Sequence, residues 1–143
     1  MKLLFVCTGN VCRSLMAERL SLRLAEERGL PLRARSCGIA AEGYFEVPPE
    51  IWRALAEAGV AQTPHRPQLA GRELLAWADE ALVMTARQRD FLVDAFPEHR
   101  GKVALLTERA GLAGDIDDPI GKPWAEYQRC RRLISAALER LLK

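Results

Sequence analysis

The chain has 143 residues, 49% of them hydrophobic, and its 21 Lys and Arg against 19 Asp and Glu leave a formal net charge of +2. That length suits one domain with a proper core, and the apolar share argues against disorder. The near-balanced charge leaves no electrostatic footprint for nucleic acid or an anionic membrane surface.

The first predicted element is a buried strand, KLLFVC at residues 2–7. Its apolar run, Leu3 to Cys7, is too short for a signal-peptide core or a membrane span, so a cytoplasmic protein is expected. Residues 14–28 read as a helix with Met16, Leu20 and Leu24 on one face, stopped by Gly29 and Pro31. Residues 33–37 (RARSC) suit a second strand, and 38–48 a loop rich in glycine and aromatics. Pro49 opens a helix over 49–58 that Gly59 closes. Residues 62–71 hold two prolines and read as loop, followed by a short helix at 71–77. A third strand is expected at 79–84, a helix at 86–95 ending before Pro97, and a fourth strand at 102–106. Residues 107–122 contain Gly111, Gly114, Pro119 and Gly121. They read as one long loop, a feature often functional in compact domains. A final helix at 123–142 presents Tyr127, Cys130, Ile134, Ala137 and Leu141 as its buried stripe. No repeat or linker divides the chain, so residues 1–143 are expected to form a single α/β domain. Its four strands would make a parallel sheet covered by helices on both faces.

Ligands of such sheets bind beyond the carboxyl ends of the strands, where the first strand would deliver Cys7. The eight residues Cys7-Thr8-Gly9-Asn10-Val11-Cys12-Arg13-Ser14 then connect strand to helix. A loop in that place can turn successive N–H groups inward as an anion cradle. Gly9 is expected to supply torsions closed to other residues, and the following helix adds its positive end. Arg13 offers a planar fork for two phosphate oxygens. Surroundings of this kind favour the thiolate, making Cys7 a nucleophile aimed at a bound oxyanion, with Ser14 in reach of either. Cys7, Cys12, Cys37 and Cys130 form no CxxC pair, and only two His are present. No metal site is expected, and thiols are expected rather than a disulfide framework.

The stretch VCTGNVCRS resembles the phosphate-binding loop of the low-molecular-weight protein tyrosine phosphatases, and Asp118-Pro119 resembles that family's dipeptide near the C-terminus. Chain length and strand–helix order agree. The resemblance implies a hydrolase that needs no cofactor or metal. Cys7 would form a phosphocysteine. Arg13 and the amides of residues 8–14 would hold the phosphoryl oxygens. Asp118 would protonate the leaving oxygen and then activate water. It further implies that Asn10 holds the loop's shape, that Ser14 supports the thiolate, and that Ser36 and His65 brace Asn10. Cys12 would trap an oxidised Cys7 as a disulfide, or is simply a small residue facing the core. Asp115 and Asp117 lie near Asp118, and neighbouring carboxylates raise one another's pKa, which suits an acid. The implied partners are a phosphorylated protein substrate and inorganic phosphate as product, with no nucleic acid or membrane. A monomer is expected.

The sequence departs from the family's usual pattern in two places: Leu15 stands where Pro is usual, and Ile120-Gly121 follow Asp118-Pro119 where eukaryotic members have aromatics. Tyr44 and Phe45, and more remotely Trp124, are alternative candidates for an aromatic substrate wall. The D-P-x-G form with Met84-Thr85 resembles a bacterial branch that includes protein-arginine phosphatases. Arginine-specific members carry Thr after the loop's Asn, whereas this chain has Val11, as tyrosine-specific relatives have Val or Ile. A β-branched apolar side chain offers no hydroxyl there, which favours phosphotyrosine as substrate, with phosphoarginine as the alternative. Thioredoxin-coupled arsenate reductases share the loop but need two more cysteines after the third strand, where TARQRDFLVDAF has none. A non-catalytic oxyanion or redox module would have no use for Asp118.

Overall fold

The structure is a computed structural model describing residues 1–143. Its central strand, β1 (Lys2–Cys7), is buried on both faces. Alternation along the strand sends Leu3, Phe5 and Cys7 into one apolar layer and Leu4 and Val6 into the other. β2 (Arg33–Gly38), β3 (Glu80–Val83) and β4 (Val103–Leu105) complete a sheet of order β2-β1-β3-β4. Every pair is parallel. Cys7 lies opposite Gly38, and Val6 opposite Val83, so three strands end at one level.

On the Cys7 face lie α1 (Arg13–Arg28), α2 (Pro49–Glu57) and α6 (Trp124–Leu141). They contribute Leu15, Met16, Ile51, Leu55, Ile134 and Leu138 to the larger core layer. α3 (Arg72–Trp77) and α4 (Ala86–Ala95) cover the opposite face through Leu75 and Leu92. Each such side chain contributes roughly 1.5–3 kcal/mol by leaving water. α1 stops at Gly29, whose φ of 65° only glycine adopts without strain, while the Leu30 N–H donates to the Ala25 carbonyl at 2.8 Å. From β1 the chain moves outward to β2, then crosses β1 to reach β3. The strand order therefore reverses between β1 and β3, and the loop leaving β1 sits at that switch point.

The architecture is the one expected from strand–helix alternation. The third and fourth strands are each one residue shorter at both ends than the runs that announced them; Lys102 belongs to the preceding 3₁₀ segment and Leu106 to the following helical turn. Two short elements escape sequence reading. A 3₁₀ segment, Pro97–Lys102, links α4 to β4, and one helical turn, α5 (Leu106–Arg109), opens the expected 107–122 loop. Neither spans enough residues to show a period. The rest of that loop is irregular but anchored. The Thr107 hydroxyl donates to the Gly114 carbonyl at 2.7 Å, and the Ile116 N–H to the Met84 carbonyl at 2.9 Å. This bends residues 114–119 over the carboxyl end of the sheet. No helix is long and apolar enough to cross a membrane.

Candidate active site

Residues 8–12 belong to no strand or helix, and the N–H groups of Gly9, Asn10, Val11 and Cys12 donate to no other backbone group. α1 starts immediately after them, with no side chain capping its first turn. The loop is therefore a ring of free donors at the positive end of a sixteen-residue helix. Cys7 closes the base of the ring. Its Sγ lies 2.9 Å from Ser14 Oγ, and both residues are buried.

Asn10 organises this base. It is the one non-glycine residue with positive φ, 60°. Its Nδ2 donates to Ser14 Oγ and to Ser36 Oγ, each at 2.9 Å, and its Oδ1 accepts from the Gln68 N–H at 3.0 Å. The amide thus occupies a lone pair of Ser14 and leaves that hydroxyl free to give its proton to a Cys7 thiolate. The network continues outward. Ser36 Oγ donates to Glu18 Oε1 at 2.8 Å, and Arg19 Nε donates to Glu18 Oε2 at 3.0 Å. Arg19 also holds Thr63 and the Pro64 carbonyl. That fixes the neighbouring segment, and His65 Nε2 meets the Asn10 carbonyl at 2.7 Å.

The electropositive wall is Arg13, a buried guanidinium. Nη1 donates to the Ile116 carbonyl at 2.9 Å, Nη2 lies 3.9 Å from Asp118 Oδ2, and Nε has no partner in the protein. A buried donor without an acceptor is costly, and here it belongs to a fork suited to a tetrahedral oxyanion. Asp118 stands at the mouth with its side chain 48% exposed. Its Oδ1 accepts from the Ile120 N–H at 3.0 Å, which fixes the carboxyl's direction. Thiol, amide ring and guanidinium thus surround one point, with the Asp118 carboxyl beside the guanidinium at its mouth, an arrangement chemically suited to attack on a bound oxyanion.

Comparison with known proteins agrees with this chemistry. The family model described as low molecular weight phosphotyrosine protein phosphatase matches residues 2–143. The chain belongs to that family. A protein-arginine-phosphatase of Bacillus subtilis (strain 168) is 36% identical, covering 100% of this chain and 95% of its own. A low molecular weight protein tyrosine phosphatase from T. tengcongensis superposes with a TM-score of 0.95 at 34% identity, covering 99% of this chain and 97% of its own. The YwlE arginine phosphatase, in a mutant with a phosphorylated active-site serine, superposes with a TM-score of 0.94 at 35% identity, covering 99% and 93%. This protein is accordingly a cysteine-dependent phosphatase.

Several details of this phosphatase differ from the sequence reading. Gly9 does not carry the loop's unusual torsion, which falls on Asn10. Asparagine tolerates the left-handed region because its short amide bonds locally, and here that amide is bonded on both ends. A Cβ on Gly9 would meet Phe45 and Val11 only at ordinary contact distance, 3.7 Å. The glycine the loop cannot spare is Gly38, where a Cβ would lie 2.4 Å from the Thr8 carbonyl oxygen and 2.9 Å from the Asn10 nitrogen. Cys12 is buried and meets Cys130 of α6, and that contact together with burial pushes its pKa well above the ordinary thiol range. All four cysteines are free thiols.

Of the candidate wall residues, Phe45 stands beside Gly9 and lines a cleft of about 670 Å³ with His65 and Trp52. Tyr44 packs edge-on against Phe45 at 5.1 Å and is 78% exposed. Trp124 instead stacks on Tyr127 and carries the Arg53 guanidinium at 4.0 Å, so it is a packing residue. Asp115 accepts the Ala86 N–H at 2.9 Å. No group of three or more His, Cys, Asp or Glu is arranged to hold a metal ion.

Sequence reasoning overlooked four supporting residues: Glu18, Gly38, Gln68 and Gln88. Gln88 is 2% exposed. Its Oε1 accepts the Met84 and Thr85 N–H groups at 2.9 and 3.1 Å, and its Nε2 donates to Thr8 Oγ1 at 3.2 Å. The Thr85-x-x-Gln88 spacing is a capping box readable in the sequence. The contacts of Glu18 and Gln68 carry no such local signature.

Proposed function

We propose that this protein hydrolyses phosphotyrosine in proteins through a phosphocysteine on Cys7. Cys7 Sγ attacks phosphorus from beneath while the phosphoryl oxygens lie on the amides of residues 9–12 and on Arg13. The phosphorus–sulfur bond forms as the phosphorus–oxygen bond breaks, and Asp118 delivers its proton to the departing phenolic oxygen. Asp118, now a carboxylate, takes a proton from the water that attacks phosphocysteine. Phosphate leaves and the thiolate is restored beside Ser14. The observation that carries this reading is the convergence of the Cys7–Ser14 pair at 2.9 Å with Arg13, whose Nε has no protein partner, and with Asp118, 3.9 Å from the same guanidinium. Preorganised donors of this kind stabilise the charge that develops in the transition state.

Val11 supports the tyrosine reading. It lines the loop with a β-branched apolar side chain and is 8% exposed, offering no hydroxyl to a guanidino group. Phe45, beside Gly9, and Tyr44, packed edge-on against it, support an aryl substrate. A second reading, hydrolysis of phosphoarginine, draws support from the name of the Bacillus subtilis relative. Phosphate release from matched phosphotyrosine and phosphoarginine peptides separates the two. Wild type is expected to favour phosphotyrosine, Cys7→Ser to lose turnover, and Asp118→Ala to lose roughly 10²–10⁴ in kcat. Faster cleavage of phosphoarginine would overturn the tyrosine reading and leave the catalytic roles standing. An active Cys7→Ser would overturn the mechanism.

A further inference from the structure

Two clefts flank the phosphate loop. The one beneath Phe45 carries Glu46 on its rim. The other, of about 490 Å³, opens directly off the loop, sharing Thr8 and Arg13 with it and walled by Ile39, Arg87 and Phe91. Arg87 and Phe91 sit one turn apart on α4, on the same face of the helix.

Three observations single out this second cleft. Arg87 is exposed and enters none of the protein's ion pairs, whereas the next arginine, Arg89, is held by Asp90 and Glu108. Asp90, the acid three residues on along the helix, is engaged by Arg89. Phe91 is 47% exposed beside it. The wall is also rigidly indexed to the phosphate loop, because Gln88, between them on the helix, is bonded to Thr8.

We infer that the Arg87–Phe91 cleft is a substrate subsite for a carboxylate-bearing side chain close to the phosphorylated residue. The carboxylate would pair with Arg87, and its methylenes would lie on Phe91 and Ile39. The protein would read an acidic residue on one side of its phosphorylated residue. This inference rests on the phosphoprotein-phosphatase reading above. A partly water-shielded ion pair of this type is worth roughly a three- to tenfold difference in kcat/KM.

The test uses phosphopeptides, carrying whichever phosphorylated residue the wild type cleaves, with Glu, Ala or Lys placed one or two residues to either side. Each kcat/KM is divided by that of p-nitrophenyl phosphate for the same variant, which cancels effects on the chemistry. Wild type is expected to prefer Glu over Lys on one flank by roughly three- to tenfold, mainly through KM, with the preference fading in high salt. Arg87→Ala should flatten it, Arg87→Glu should invert it, and Phe91→Ala should weaken it with the sign kept. Inversion by Arg87→Glu is a result that a merely structural role for Arg87 would not produce. Equal cleavage of all peptides by the wild type, or an unaltered preference in Arg87→Glu, overturns the subsite while leaving the phosphatase intact. Failure of the wild type to turn over p-nitrophenyl phosphate overturns the phosphatase reading and the subsite together.

Discussion

Asn10 combines two costs that evolution has to offset at one position. A left-handed torsion on a non-glycine residue costs roughly 1–2 kcal/mol, and a buried amide left unbonded costs about 1–3 kcal/mol more. Asn10 bonds Ser14, Ser36 and Gln68 at once, which covers the second cost and holds the first in place. Replacing it separates the two. Asn10→Ala should lose roughly 2–4 kcal/mol in urea denaturation, and kcat should fall as Ser14 is freed to rotate. Asn10→Gly removes the torsional strain and keeps the loss of bonds. It should recover about 1 kcal/mol of stability and little of the kcat. Full recovery by glycine would mean that the torsion alone mattered. Gly38 is governed by space rather than torsion. A methyl group there meets backbone at 2.4 Å, whereas one on Gly71 meets nothing within 4 Å. These residue-scale facts were only partly legible. The loop motif pointed to Asn10, but the neighbour that must lack a side chain lies across the β1–β2 register, which no local pattern encodes.

At the scale of elements, the site is assembled where α1 and α4 begin. α1 leaves its first turn uncapped toward the loop, whereas α4 is closed by a full capping box between Thr85 and Gln88. The same Gln88 side chain reaches Thr8, so one residue caps a helix and props the phosphate loop. Gln88→Ala should cost about 2–4 kcal/mol, combining loss of the cap with an orphaned Met84 N–H. Because Thr8 loses its prop, kcat is expected to fall more than KM rises. Thermal denaturation and steady-state kinetics on the same sample check both. A Tm shift without any kinetic change would restrict Gln88 to capping. The long helices and the central strands were readable because each repeats its period several times. α5 and the 3₁₀ segment at Pro97–Lys102 were not, since a single turn cannot display a period.

For the whole molecule, pH couples to the buried thiols. Burial raises the pKa of Cys37, and the Cys130 contact with burial raises that of Cys12, both from an ordinary value of 9.0. In the folded protein these thiols keep their protons while their unfolded counterparts ionise. Their contribution to stability is therefore whole below pH 9.0 and is lost progressively as pH climbs from there toward the folded-state values. Each group adds a slope of at most about 1.4 kcal/mol per pH unit. Urea midpoints measured across the alkaline range should fall with pH, and Cys37→Ala should show a shallower fall. Parallel slopes in the two proteins would exclude Cys37 as a source.

The strand–helix alternation, the loop at the end of β1 and the acid before Pro119 were determined by sequence alone. Each rests on short-range regularities: period two, period 3.6, and fixed spacing along one loop. What only the tertiary structure decided are the contacts that cross the sheet or join separated segments. Those are Glu18 with Ser36, Gln68 with Asn10, Gly38 beneath Thr8, Cys12 against Cys130, and the placing of Arg87 beside Arg13 in one cleft off the phosphate loop. The physical reason is that burial and hydrogen-bond partnership depend on which elements the fold brings side by side. The linear order of the residues carries that information only through the packing of the whole chain.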